Sequence, residues 1–421
     1  MHIQTHILRC VAAIVLSATA PGLSGLQAAT TDHAHQRLVA DPALTLRELV
    51  DRTLSRGPAI GELESQAREA NAWDSHASNW LSAAPSLALR YQTDRFNRND
   101  GLEEYEAGLL LHLWRWGEKS ATAAFATTLD RETEATRAAL RWEVAGAVRQ
   151  ALWRVATAEI DHSMAERSAA LAERLKAKVE RAQELGDLPL GDVLIARSNH
   201  LEAVNTLIEK EALLLDAERA FAILTQDSVR PPFAAEPKSA VTELPQDHVL
   251  IRWLNSQINR ASAARDRVEK SSRGSPALLL GPKREQAPND PQQHDSIGVT
   301  LSFPFATGSH AAPQIAAADR ELAGVVAERD RQLRRLQLMF HEAVHELEVA
   351  TAQLQAAARS TELAAQQIEM GSTAFESGEL NLLNLLQIQR TALAAERHAA
   401  LLKADLNRSI AQYNQAVGDT P

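Results

Sequence analysis

A chain that repeats its own landmarks at a fixed spacing is constrained to fold as two equivalent halves, and this one repeats over nearly half its length. Pro85-Ser86-Leu87-Ala88-Leu89 returns as Pro276-Ala277-Leu278-Leu279-Leu280, and Trp116-Gly117 returns as Thr307-Gly308, each 191 residues later. Gly186-Asp187-Leu188 returns as Gly378-Glu379-Leu380 and Phe221 as Tyr413, each 192 residues later. Both halves run in one order: short helices, an alternating patch, a very long helix, a Gly turn and a second long helix. That order excludes most enzyme folds.

The 421 residues therefore read as one pseudo-symmetric unit rather than two or three independent domains. Aromatics make up only 4% of the chain and charged residues 23%, and much of the 45% apolar fraction is alanine, which favours extended helices over a compact core. Residues 1–28 read as a secretory signal, with a short n-region ending at Arg9, an apolar run from Val11 to Ala20 and a small-residue site at Leu26-Gln27-Ala28. Cys10, the one cysteine, starts the apolar run, where it is poorly placed for lipid attachment, so the mature chain is expected to carry no thiol and no disulfide. Loss of Arg9 with the leader moves the net charge from −10 to −11. No basic stripe or aromatic platform suggests nucleic acid. After the leader no run of 18 apolar residues exists, so a membrane could be crossed only by strands.

The periodicity divides each half. A first repeat is expected over 44–228, with strands at about 85–94 and 104–114 and long helices at about 118–185 and 190–225. A linker at 229–245, rich in proline, leads to a second repeat over 246–418, with strands at about 276–283 and 295–304 and long helices at about 311–376 and 381–417. Leu87, Leu89 and Tyr91 alternate with polar residues, as do Tyr105, Ala107, Leu109 and Leu111 across a turn at Asn97 to Gly101. Ile297, Val299, Leu301 and Phe303 repeat the pattern, whereas the partner strand at Pro276 to Lys283 reads as short and Arg284 to Asp295 as a polar loop. The helices carry three-and-four spacing: Leu129, Thr133, Thr136, Leu140, Val144 and Val148 in the first, and Leu322, Val326, Leu333, Leu336, Phe340, Val344, Leu347, Leu354 and Ile368 in the second. Each would be roughly 100 Å long.

Two readings of the strands stand side by side. Aromatics gathered in and beside them (Tyr91, Phe96, Tyr105, Trp114, Trp116, Phe303, Phe305) suit the belts of a membrane β-structure, and the same alternation suits a small soluble sheet packed on helices. Four strands cannot close a barrel, since the smallest have about eight, and an open edge in lipid leaves backbone groups unpaired. A spanning version must be shared among copies.

Leu113-Trp114-Arg115-Trp116-Gly117 and Phe303-Pro304-Phe305-Ala306-Thr307-Gly308, each leading from strand into helix within the duplicated frame, resemble the outer-membrane efflux protein (TolC-like) family over essentially the whole mature chain. The segment from Ile297 to Ala318 is most similar to the outer-membrane factors of heavy-metal resistance-nodulation-division (RND) pumps. The resemblance implies a mainly α fold with a small β part, and a homotrimer whose three sets of four strands make a 12-strand barrel in outer-membrane lipid above a periplasmic α-barrel. It further implies the outer membrane of a Gram-negative cell, a periplasmic adaptor (membrane fusion) protein and an inner-membrane RND-type transporter as partners, and no catalytic residue or cofactor. At the tips it implies an entrance at Asp187, Asp192, Glu379, Asn384 and Gln387, and adaptor contacts at Gly186, Leu188, Pro189, Gly378, Leu380 and Asn381. Asn384 and Gln387 stand where the family commonly has acids, and the remaining carboxylates are equally explained as ordinary acids in helix first turns.

His341-Glu342-Ala343-Val344-His345 matches the H-E-x-x-H zinc pattern. Its setting inside a continuous coiled-coil helix gives no cleft, and Glu362 and Glu369 would lie about 25 and 36 Å from His345, so plain helix surface is the expectation and His341 with His345 only a weak metal pair. His33 and His35 read as part of a loose terminus. No phosphate-binding glycine motif and no Ser/His/Asp set is present. A channel for organic compounds or for type I secretion, and a soluble periplasmic coiled-coil scaffold, are the competing functions.

Overall fold

The computed structural model describes residues 37–96, 100–305 and 308–421. The expected leader at 1–28 with Cys10, the pair His33 and His35, the turn residues Asn97, Arg98 and Asn99, and the junction residues Ala306 and Thr307 fall outside the described residues.

The chain is mainly helical. β1 (Val39–Ala40), α1 (Leu46–Arg56) and α2 (Ala59–Ser78) precede the hairpin β2 (Ser86–Thr93) and β3 (Glu103–His112); α3 (Glu118–Glu184) and α4 (Leu190–Thr225) follow. β4 (Val229–Arg230) begins the linker and α5 (Val249–Ser271) the second repeat. The hairpin β5 (Ala277–Gln286) and β6 (Gln293–Ser302) comes next, then α6 (Gly308–Glu376) and α7 (Leu382–Ala416). β1 and β4, which lie ahead of the two repeats, pair in parallel at Val39↔Val229. The two hairpins form one antiparallel sheet in the order β2-β3-β5-β6.

The second hairpin is longer than its pattern suggests. Arg284↔Asp295, Glu285↔His294 and Gln286↔Gln293 are ladder pairs, so the polar segment read as a loop is mostly strand, and the turn is confined to 287–292. A bidentate contact from Arg284 Nε and Nη2 to Asp295 at 2.6 and 2.9 Å supports that extension. The ladder between β3 and β5 skips the two positions around Pro282, which has no N–H to give. There the strands run so close that a Cβ on Gly281 would sit 1.9 Å from the Ala107 carbonyl oxygen.

α6 begins at Gly308 rather than near 311 and takes in Pro313. Its buried seam also differs from the large-residue list read from sequence: Leu336 and Leu347 are buried, but Val326 is exposed beside buried Val325, and the line continues through Ala343, Ala350, Ala357, Ala364 and Gly371 at seven-residue intervals. A strict heptad implies a left-handed supercoil, and side chains this small let α6 and α7 approach closely while the larger neighbours flank the contact.

Two clusters anchor the helical part. At mid-height Leu49 and Val50 of α1, Val148, Leu152 and Val155 of α3, and Leu214 and Phe221 of α4 are buried together. α1 has no helical counterpart in the second repeat. The stretch from Arg230 to His248 is instead an extended strap tied to α3 and α7: Arg230 to Glu159 at 2.6 Å, Arg149 to Glu236 at 2.6 and 3.0 Å, and the Ser239 N–H to Asn414 Oδ1 at 2.8 Å. The second cluster lies at the helical tips.

Candidate functional site

The expected site residues lie at the far end of the long helices, where α3 turns into α4 and α6 into α7. Both turns are Schellman motifs built on a left-handed glycine, Gly186 at φ 89° and Gly378 at φ 78°. The Gly186 N–H donates to Gln183 O and the Asp187 N–H to Ala182 O at 2.9 Å. In the second turn the Gly378 N–H donates to Phe375 O and the Glu379 N–H to Ala374 O, also at 2.9 Å. The caps that restart the helices differ. Asn381 accepts the Asn384 N–H through its side chain at 2.9 Å, whereas Pro189 supplies no side-chain cap to α4.

The tips are brought together. Leu175, Val179, Val193 and Ala196 of the first helical hairpin and Leu382, Leu385 and Leu386 of the second form one buried cluster, with Leu188, Ile195, Phe375 and Leu380 packed against it. Of the candidate entrance residues, Asp187, Glu379, Asn384 and Gln387 are exposed and Asp192 is half-buried in the first turn of α4. Gly186, Pro189, Gly378 and Asn381 are exposed around them. Among the described residues none of Asp187, Asp192 and Glu379 is in an ion pair. Ion pairs missed by sequence reasoning cross from hairpin to hairpin between the tips and mid-height: Lys178 to Glu376 at 2.5 Å, Glu202 to Arg390 at 2.8 Å, Arg167 to Glu396 at 2.8 Å and Asp161 to Arg397 at 2.8 Å.

At the opposite end, the register assigns each side chain of the sheet to a face. Leu87↔Leu109, Leu109↔Leu280, Leu280↔Val299, Leu278↔Leu301 and Pro282↔Ile297 share one face, and its large side chains are exposed except for half-buried Leu278. Tyr91 and Tyr105, paired across β2 and β3 with rings 4.8 Å apart, bound this face at the hairpin-turn end. Trp116 (97% exposed) and Phe305 (93%), with Trp80 and Phe303, gather at the helix end. The other face is polar: Arg90↔Glu106↔Lys283↔Ser296 and Gln92↔Glu104↔Glu285↔His294 run across it, and Lys283 Nζ lies 2.5 Å from Glu104 and 2.6 Å from Glu285. Strands of ten residues are about 34 Å long.

His341 and His345 are both exposed on α6, and among the described residues no group of three or more metal-binding side chains is assembled. Their helix turns Ala343 and Leu347 inward. Nor is any described helix long and apolar enough to cross a membrane.

No family model matches the sequence, and no curated protein matches it. Solved structures do match. The outer membrane protein VceC from Vibrio cholerae superposes with a TM-score of 0.72 at 17% identity, over 89% of this chain and 96% of that one. The CmeC outer membrane channel of Campylobacter jejuni gives 0.71 at 14% identity, over 89% and 86%. The open state of the MtrE outer membrane channel of Neisseria gonorrhoeae gives 0.65 at 16% identity, over 91% and 90%. With two β-hairpins in one sheet and two long helical hairpins joined at their tips, the chain has the fold of these outer-membrane channels.

Proposed function

We propose that this protein is an outer-membrane channel of the TolC-like efflux family, the exit duct of a tripartite pump, working as a homotrimer. The observation that carries this reading is the sheet, whose one apolar and unpacked face is bounded by aromatic side chains at both ends. In water such a face is an aggregation surface, whereas in lipid it is the required one. Strands of about 34 Å tilted by about 45° present a band of roughly 24 Å, the height of the apolar belt on outer-membrane barrels.

The edges β2 and β6 argue for assembly. Unpaired backbone in lipid costs several kcal/mol per group, and three copies supply 12 strands, enough to close. The duplication even supplies the pairing. β3 meets β5 at Leu109↔Leu280, so the equivalent contact sets Leu301 of β6 opposite Leu89 of a second copy, both on the apolar face. The polar face with Arg90, Glu106 and Lys283 then lines a water-filled bore, and the long helices continue it across the periplasm. Asp187, Asp192, Glu379, Asn384 and Gln387 are the proposed entrance, and Gly186, Leu188, Pro189, Gly378, Leu380 and Asn381 the proposed contacts for a periplasmic adaptor. An inner-membrane RND-type transporter would supply cargo and energy, and no residue of the duct performs chemistry. The similarity of Ile297 to Ala318 to outer-membrane factors of heavy-metal pumps supports metal cations as that cargo.

Recording purified protein in a planar lipid bilayer tests the channel, with discrete conducting steps expected. Recovery in the soluble periplasmic fraction with no conductance would instead establish a coiled-coil scaffold. For the cargo, cells carrying this duct with the neighbouring transporter gene replaced should lose metal tolerance; unchanged tolerance would remove the metal assignment while leaving the duct.

A further inference from the structure

Both ends of the sheet carry cationic side chains, and the two ends treat them in opposite ways. At the hairpin-turn end Arg95 is paired with Glu103, Lys283 with Glu104 and Glu285, and Arg284 with Asp295. Arg90, on the polar face, sits opposite Glu106 in the ladder. At the helix end stand Arg115, Lys119, Lys270 and Arg273, and among the described residues none of these four is in an ion pair.

The four lie where the sheet meets α2, α3 and α5. Lys119 Nζ donates to the Ser78 carbonyl at the end of α2 at 3.4 Å, and Arg115 Nη1 to the Arg273 carbonyl at 3.2 Å. The Lys270 side chain runs past Gly117, where a Cβ would lie 3.8 Å from its Cδ. Carboxylates at this level are already occupied. Glu118 is buried and accepts the Arg115 N–H at 2.9 Å and the Ser275 hydroxyl at 3.0 Å, while Glu269 is held by Arg265 at 2.7 Å. Lys119, Lys270 and Arg273 are exposed. A chain of net charge −10 thus keeps a local excess of unneutralised positive charge at one end of its sheet.

The apolar face reaches the same level. Leu81 pairs with Leu113, which by alternation continues the face that carries Leu109 and Leu111. Beside this pair Trp80, Trp116 and Phe305 are more than nine-tenths exposed. Rings at the edge of an apolar band, with lysine and arginine just beyond them, match the headgroup layer of a bilayer, where aliphatic stems lie along the acyl boundary and charges stand in the polar zone. A cation without a carboxylate of its own is available to an anion from outside the chain. The phosphate diester of an anionic phospholipid supplies that anion and covers the rings and leucines with its acyl chains; a free phosphate would leave them bare.

We propose, resting on the outer-membrane reading argued above, that the junction of sheet and helices is a binding site for anionic phospholipid, with Lys119, Lys270 and Arg273 holding the headgroup phosphate and Trp80 and Trp116 flanking the glycerol and upper acyl chains. The paired cations at the turn end make no such site, so the headgroup preference belongs to one end of the barrel and to one leaflet.

Native mass spectrometry of the assembled full chain, titrated with phosphatidylglycerol or with phosphatidylcholine of the same acyl chains, tests the site. Phosphatidylglycerol should be retained over phosphatidylcholine. Lys119→Gln, Lys270→Gln and Arg273→Gln together should weaken phosphatidylglycerol binding by about fivefold per cation removed and leave phosphatidylcholine unchanged. The charge-keeping set Lys119→Arg, Lys270→Arg and Arg273→Lys should restore the preference, and Arg284→Gln at the other end should not alter it. Equal retention of the two lipids, or an equal loss from Arg284→Gln, would overturn the site. Displacement of phosphatidylglycerol by inorganic phosphate would overturn the assignment to a lipid. A protein that retains neither lipid and never conducts would contradict the outer-membrane reading itself, a result distinct from a conducting channel without headgroup preference.

Discussion

Leu382 and Leu190 hold the same place in the duplicated pattern, at the first residue of a long return helix, yet one is buried and the other exposed. The difference lies in what each faces, because Leu382 meets α3 of its own chain and Leu190 meets solvent. Mid-height repeats the lesson in backbone form. The first repeat covers its long helices with α1, capped by Thr45, whose hydroxyl accepts the Glu48 N–H at 3.2 Å. At the equivalent place the second repeat uses an extended strap held by charge, since Arg149 is buried between Glu236, Gln415 Oε1 at 2.7 Å and the Asp419 carbonyl at 3.1 Å. Apolar packing suffices where a helix covers a helix. An extended segment, whose backbone groups lack internal partners, needs side chains to satisfy it.

That contrast can be broken at several points. Arg149→Ala leaves Glu236 without its partner and is expected to destabilise by about 3–5 kcal/mol, the largest effect among single changes, read by thermal melting in detergent. Leu382→Ala should lower stability by about 2–4 kcal/mol through the cavity it leaves, and Leu190→Ala by less than about 0.5 kcal/mol in dissociated chains; equal losses from both would contradict the asymmetry between the two leucines.

His248, buried between the strap and α5, gives a pH signature of about 3 kcal/mol. Its Nδ1 accepts the Leu250 N–H at 3.1 Å and its ring meets Trp142 edge-on; Arg252 and Asp247 are the charged groups bearing on it. Burial lowers its pKa from 6.5 to about 4. The unfolded chain therefore takes up this proton first as pH falls, so stability is full above pH 6.5 and lost between pH 6.5 and about 4. His248→Asn keeps a capping side chain and should flatten that part of the curve. The smallest effect concerns the tips: Asn381→Ala should cost about 1 kcal/mol through the lost cap, with no capping loss from Pro189→Ala on α4.

Much of this architecture was legible in the chain. The spacing of Gly186 and Gly378 marked both tips because only a residue at ease with positive φ closes a Schellman turn there, and the switch from period 3.6 to period 2 marked the strands. The second hairpin was underestimated because Arg284 and Asp295 look like loop residues until paired across strands. The seam of α6 is hidden in the sequence because large apolar residues outweigh Ala343, Ala350, Ala357 and Ala364 in a hydrophobic pattern, although these alanines keep a heptad spacing. The ion pairs between the helical hairpins link residues as distant as Asp161 and Arg397, and no local pattern signals them.

The central claim is that the apolar face of the sheet meets lipid and the polar face meets water. Single cysteines at Val299 and at Thr300, neighbours on β6 that point to opposite faces, can each carry a spin label in liposome-embedded protein. The label at Val299 is expected to be relaxed by oxygen dissolved in the acyl chains and shielded from a water-soluble nickel chelate, with the reverse at Thr300. Equal access of the nickel chelate to both positions would contradict it.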